Sequence, residues 1–330
     1  MTNEKWQWQE PETAWNGVGI YHVTLVVPSR EPLLGDLIIP DNDPTKAYVE
    51  RTKLGKEIVY IIGSIPHYRP QIRLLQYCLM PDHVHFILYV QQTMPYSIKS
   101  VVRGFWQAAK KVGREYTILS ISPNDIRENE QNKTKAIHPI FTDIPFIRPM
   151  SRRGQLDAMM QYVKMNPQRL ATKRLKPGYF CVQDNIEIAG RIYSGVGNTK
   201  LLLADSFAPV HVRHTMLDEA AQGNDMRLRD YMNGCVLAAR QGTVMVSPFI
   251  SDKEKEVLTV LLAEERPIIL LADNGFRNYY KPSAGLFDAV AAGRVLILSP
   301  WEYDPDKKHI SRADCVALNN MAEEISQALL

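Results

Sequence analysis

His83-Val84-His85-Phe86 sets two imidazoles two residues apart, and Tyr162-Val163-Lys164-Met165-Asn166 sets a phenol and an amide four apart. Side chains alternate along a strand, so His83 and His85 would share one face while Val84 and Phe86 point into a core. Two imidazoles on one strand face can bind one divalent cation. On a helix, residues four apart stand one turn apart on the same side. The Asn166 carbonyl oxygen is then a reasonable third ligand for Mg2+ or Mn2+, with Tyr162 beside the cation. Pro167 disfavours an unperturbed helix, and a kink or end there would turn Asn166 towards the site. A tyrosine next to a metal-held phosphate is equipment for phosphodiester cleavage, with the phenol as nucleophile. Each motif taken singly also has an ordinary reading: two neighbouring histidines by chance, and a core aromatic with its hydroxyl at the surface.

The charge distribution adds a third feature. Between Arg148 and Lys176 lie eight basic residues, among them Arg152, Arg153, Lys164, Arg169 and Lys173, against the single acid Asp157. Lys99, Arg103, Lys110, Lys111 and Arg114 form a second cluster opposed by Glu115. Such fields suit a nucleic-acid backbone, and solvated helix faces would look the same. Arg103, Lys110, Lys111, Arg152, Arg153, Lys164, Arg169 and Lys173 are the expected DNA contacts.

These residues need elements to hold them. Residues 19–27 read as a strand. Asp43-Pro44 offers an N-cap with proline at the first helical position, predicting a helix through about Ile62. Gln71–Leu79 and His83–Val90 read as strands joined across Met80-Pro81-Asp82, an antiparallel hairpin. Ser97–Tyr116 is helical by its apolar period. Residues 121–136 read as a polar loop, and a further helix covers about 154–165. The order predicts an α+β fold, helices on an antiparallel sheet. His22 reads as a packed strand histidine. Trp6, Trp8 and Trp15 could stack on bases, although a partly docked tail is the simpler reading.

The run Leu79-Met80-Pro81-Asp82-His83-Val84-His85-Phe86 resembles the signature strand of single-tyrosine HUH transposases, especially the branch associated with repetitive extragenic palindromes (REP). Tyr162 to Arg169, Y-x-x-x-N-P-x-R, resembles that branch's catalytic helix, and Tyr21-His22-Val23-Thr24 its first strand. The resemblance covers about residues 15–175. It implies a ferredoxin-like sheet, His83 and His85 as metal ligands and Tyr162 as nucleophile. Other single-tyrosine transposases commonly carry glutamine where Asn166 stands.

Past Pro177-Gly178 the texture changes. Short apolar runs (201–203, 243–246, 268–271, 295–298) alternate with helical stretches, which predicts a parallel sheet. Ser251 with Glu254 forms a capping box, and Pro282 opens another helix. A boundary is expected near Gly190, giving an HUH domain over 1–190 and a Rossmann-like α/β domain over 191–330, with Arg191 to Asn198 as the joint. The second half is similar to the DNA-processing protein A family, whose core binds single-stranded DNA. Neither a G-x-G-x-x-G nor a P-loop is present. Ligands of open parallel sheets gather at the strands' carboxyl ends. That singles out Ser247, Asp273, Asn274, Gly275 and Ser299, which ordinary turn chemistry would also explain.

Composition is that of a globular chain, 45% hydrophobic and 23% charged, and no apolar run reaches the ~20 residues of a membrane span. Residues 1–9 carry no signal-peptide pattern. The four cysteines are scattered without C-x-x-C pairing, as expected of free thiols in the cytoplasm. The expected activity is metal-dependent cleavage and rejoining of single-stranded or hairpin DNA through a 5′-phosphotyrosine. A homodimer is allowed, and no membrane partner is expected. A non-catalytic hairpin-binding regulator of the same fold is the main alternative. A histidine-motif nucleotide hydrolase would also use H-x-H but has no need of Tyr162 and Asn166.

Overall fold

The computed structural model describes Trp15 and residues 17–120, 140–150, 154–277 and 280–329. The expected loop at 121–136, Trp6, Trp8, Arg152 and Arg153 lie outside the described residues. The chain divides into two compact units, Met1–Thr172 and Lys173–Leu330.

In the first unit, β1 (Gly19–Val26), β4 (Ile72–Met80), β5 (His83–Val90) and β6 (Phe146–Met150) form an antiparallel sheet in the order β4-β5-β1-β6. Period-two alternation decides what each face does. Val23, Leu25, Val84, Phe86 and Leu88 are buried on one face. Against them pack Leu54, Ile58, Ile62 and Ile65 of α1 (Lys53–Tyr68) and Ile98, Val102, Phe105 and Ala109 of α2 (Ile98–Ser120). Burying side chains of this size contributes about 1.5–3 kcal/mol each. The opposite face carries Cys78, Met80 and Ile87, covered by Val163 of α3 (Gln155–Lys164) with Met159 and Met160 alongside.

The helix expected from Asp43 begins later. Asp43 does accept a hydrogen bond from the Thr45 N–H, but the turn it caps is the 3-10 segment Pro44–Lys46. The chain then enters β3 (Tyr48–Arg51), which pairs with β2 (Gly35–Ile38) in a small hairpin. Thr52 is the real N-cap of α1, accepting from the Gly55 N–H at 3.0 Å. An acidic cap followed by proline starts any turn, and only the apolar period after Leu54 sustains a helix. At the other end of the unit, α3 stops at Lys164 and α4 (Asn166–Leu175) starts again with Pro167 in its first turn.

In the second unit, β9 (Phe207–Pro209), β10 (Val244–Ser247), β11 (Ile268–Leu271) and β12 (Val295–Ser299) run parallel. A hairpin of β7 (Gln183–Ile188) and β8 (Arg191–Gly197) extends the sheet antiparallel to β12. The boundary expected near Gly190 therefore falls in that hairpin's turn, where Ala189 and Gly190 both have positive φ, the two-residue turn that matches strand twist. The expected joint, Arg191 to Asn198, is β8 itself. Leu201–Leu203, expected among the strand-like runs, lies in the 3-10 segment Thr199–Leu203, because the Asn198 side chain takes the Lys200 N–H and closes a turn. One sheet face, with Val244, Val246, Ile269, Leu271, Leu296 and Leu298, packs on Leu318, Met321 and Ile325 of α9 (Arg312–Ala328). The other carries Met245, Ile268, Val295 and Ile297. It meets α6 (Met226–Arg240), α7 (Asp252–Ala263, with the Ser251–Glu254 capping box) and α8 (Ala284–Ala291), which follow α5 (His214–Ala221).

Candidate active site

Strand register assembles the first group of side chains. β5 lies between β4 and β1, with Thr24 opposite His85 and Val26 opposite His83. The Thr24 hydroxyl lies 2.8 Å from His85 Nδ1, and His22 Nε2 lies 3.1 Å from that same nitrogen. His83 is held from the hairpin turn, its Nδ1 2.5 Å from the Asp82 carboxylate. The two rings meet edge to face with centroids 4.8 Å apart. Both are thus anchored through Nδ1, so a cation would be met by Nε2 of each.

His22 and His85 are buried, each 6% exposed. Burial lowers the His22 pKa to about 4, and the charge of Arg148, its register partner on β6, acts the same way. His22 is accordingly a neutral imidazole at ordinary pH, able to hold His85 Nδ1 without adding charge. Asp82 is held below the usual carboxylate range: burial pushes its pKa up, and His83 with Arg30 more than offsets that.

α3 brings up the phenol. Packing of Val163 on Cys78, Met80 and Ile87 sets the half-buried Tyr162 ring edge-on to His85, centroids 5.8 Å apart. Asn166 and Arg169 follow at four and seven residues, on the same side of the chain across the break at Met165. The Asn166 side chain acts on the Tyr162 hydroxyl, whose pKa it lowers, and the Arg169 guanidinium lies 5.5 Å from the centre of the Tyr162 ring. Burial raises the Tyr162 pKa, and Arg169, Asn166 and Arg30 offset only part of that rise. The Tyr162 hydroxyl thus feels the positive charge of Arg169 and, more weakly, of Arg30.

No protein-family model matches this chain, and no curated protein matches it. Solved structures similar to about half of it include two transposases. A REP-associated tyrosine transposase bound to a REP hairpin is 14% identical with a TM-score of 0.30, over 48% of this chain and 72% of that one. A candidate transposase from Deinococcus radiodurans is 13% identical with a TM-score of 0.27, over 47% of this chain and 96% of that one.

Of the expected site residues, His83, His85, Tyr162 and Asn166 come together around one point of the sheet. The expected DNA contacts separate. Arg103, Lys110 and Lys111 sit on α2, which covers the Val84/Phe86 face, away from the imidazoles. Arg103 and Lys111 are exposed, and the Lys110 amine lies 5.1 Å from the centre of the Trp106 ring. Lys164 is exposed two residues past Tyr162. Arg169, expected on the DNA-facing surface, is instead buried at 8% exposure against Tyr162. Lys173 belongs to the second unit, 5.7 Å from the centre of the Phe180 ring, its pKa lowered by burial and by Lys281.

The second unit's candidates are occupied by loop structure. The buried Ser247 hydroxyl donates to the Val210 carbonyl and accepts from the Phe249 N–H. Ser299 is buried against the Trp301 backbone. Asn274 ties Gly275 to Asp304, a Cβ on Gly275 would strike the Trp301–Tyr303 backbone, and the Asp273 carbonyl accepts from Lys307.

Thr24 and Asp82 appear in the sequence reading only within longer runs, Arg148 only as part of the basic stretch, and Arg30 not at all. His22-Val23-Thr24 carries the same period-two signal as His83-Val84-His85 and could have been read as a second row on that face. Arg30 leaves no such signal.

Proposed function

We propose that the first unit cleaves and rejoins single-stranded DNA with Tyr162 as nucleophile, and that His83, His85 and Asn166 hold Mg2+ or Mn2+. What supports this reading is the edge-on approach of the Tyr162 ring to His85, with the buried Asn166 side chain one helical turn further on. Among the described residues no group of three or more His, Cys, Asp or Glu side chains is placed to hold a metal ion. The proposed donor set is two imidazoles and an amide. Asn166 fits it: it is 5% exposed, its side chain acts on the Tyr162 hydroxyl, and Nδ2 has no hydrogen-bond partner among the described residues. Rotating that amide presents its oxygen at the unpartnered position. The cation, when bound, polarises the scissile phosphate.

The rest is done by the chain. Asp82 and the Thr24–His22 pair fix the two rings through Nδ1. The Tyr162 oxygen attacks phosphorus, forming a 5′-phosphotyrosine as the P–O3′ bond breaks. The phenolic proton leaves to water, and the departing 3′ oxygen takes one up. Arg169 stabilises phenolate character at Tyr162 before attack and again when a 3′ hydroxyl reverses the step. We read the sheet order β4-β5-β1-β6, with α1 and α2 on one face, as ferredoxin-like, and the second unit as a Rossmann-like α/β domain.

A hairpin with a single-stranded flank is the first substrate to try. Wild-type protein with Mn2+ is expected to give a covalent protein–DNA band on a denaturing gel, and Tyr162→Phe to lose it while binding stays within about threefold. An undiminished band in Tyr162→Phe would place the nucleophile elsewhere. Binding without any adduct in the wild type would favour the non-catalytic hairpin-binding reading.

A further inference from the structure

The segment between Val27 and Leu34 is fastened at both ends to the turn that carries Asp82. The Val27 N–H donates to the Asp82 carbonyl at 2.8 Å, and the Leu34 N–H donates to the Pro81 carbonyl at 2.9 Å. Within it, Ser29 and Arg30 have φ of 56° and 58°. Two consecutive non-glycine residues in the left-handed region are uncommon and cost conformational energy. The backbone turn they make carries Arg30 back to Asp82, with Nη1 3.3 Å from Oδ2. The other Asp82 oxygen is the one that holds His83. One carboxylate thus fixes an imidazole with one oxygen and a guanidinium with the other.

The pair is a poor candidate for a purely structural device. The Arg30 side chain is 60% exposed, and exposed ion pairs contribute little to stability. Of the five guanidinium N–H groups, the contact with Asp82 uses one, and the exposed remainder can meet an anion. The Arg30 charge also reaches the Tyr162 hydroxyl, whose pKa it lowers against the effect of burial.

We propose that Arg30 is a further catalytic residue, binding a non-bridging oxygen of the scissile phosphate while Asp82 holds its guanidinium in place. This rests on the reading of Tyr162 as nucleophile. Arg30 moves no proton. It neutralises charge on the oxygens around phosphorus as the phosphotyrosyl bond forms, and its planar donors fit phosphate better than a lysine amine would. Arg30 differs from Arg169 in being accessible to DNA, since Arg169 is already buried against the phenol.

The test uses the full chain, Mn2+ and a hairpin oligonucleotide whose cleavage position has been mapped with the wild type. Two oligonucleotides are compared, one natural and one with a methylphosphonate at the scissile linkage, which replaces a non-bridging oxygen by methyl. Single-turnover adduct formation is measured for wild type, Arg30→Ala and Arg30→Lys. Arg30→Ala is expected to slow the natural substrate by about 100-fold, with part of the loss restored in Arg30→Lys. The methylphosphonate penalty should be at least about tenfold smaller in Arg30→Ala than in the wild type, because residue and oxygen belong to one contact. Mn2+ affinity of the DNA-free protein, read by titration calorimetry, should be the same for wild type and Arg30→Ala. Equal methylphosphonate penalties, or a tenfold loss of Mn2+ affinity, would overturn the assignment by showing that Arg30 acts through Asp82 and His83. Absence of adduct in the wild type overturns the reading of Tyr162 itself, a different result.

Discussion

His22 shows how a single side chain couples the site to the stability of the sheet. It binds a proton near pH 4 when folded, whereas an unfolded histidine does so near 6.5. Above that range both states leave it neutral and it contributes no pH dependence. As pH falls from 6.5 towards 4 the unfolded chain gains a proton that the folded chain refuses, so stability declines by up to about 3 kcal/mol. Urea unfolding at pH 7 and pH 4.5 should show that loss, and His22→Gln should flatten it. An equal slope in the variant would assign the acid sensitivity to other groups. The identities of the central residues were legible from spacing alone, because period two on a strand and period 3.6 on a helix are local properties. Their supports were not. Thr24 meets His85 through a register 61 residues apart in sequence, and Arg30 meets Asp82 through a left-handed turn that nothing in Pro28-Ser29-Arg30-Glu31 announces.

At the scale of elements, the strands with clean alternation and the helices with sustained apolar period appear where the sequence places them. Two local signals mislead: the cap at Asp43-Pro44 is genuine but serves a 3-10 turn, and the apolar run Leu201–Leu203 lies in another 3-10 segment, while the expected joint at 191–198 is strand β8. The helix that does form, α1, carries a constraint of its own at Gly55. A Cβ there would collide with the Leu34 carbonyl, which also accepts the Thr52 N–H. Leu34 in turn holds the Pro81 carbonyl and so the turn bearing Asp82 and His83. Gly55→Ala should therefore cost about 1–3 kcal/mol by overpacking. Because the displaced atoms belong to the Arg30 segment, it should also slow adduct formation more than the stability loss explains. Denaturant midpoints measured beside adduct rates at saturating DNA would check this, and an unaffected rate would detach the segment from the chemistry.

For the whole molecule, the division at Thr172 and Lys173 changes how the halves should be separated. A chain cut after residue 190 would keep β7 and delete β8, its hydrogen-bonding partner, leaving a strand with unpaired backbone groups prone to association. A chain cut after Leu175 retains α4 and everything through Asn166 and Arg169. It is expected to stay monodisperse in size-exclusion chromatography and to form the Tyr162 adduct on a minimal hairpin, while the 1–190 fragment aggregates. Loss of adduct in a folded 1–175 fragment would show that the second unit takes part in cleavage. The place of β5 between β4 and β1 has one more consequence. An inner strand can release its amides only when neighbouring strands separate, so His83 and His85 lie in the last part of the sheet to open. Local breathing is expected to loosen α3 and its tyrosine before it disturbs the imidazoles, so the proposed nucleophile would move over a steadier platform.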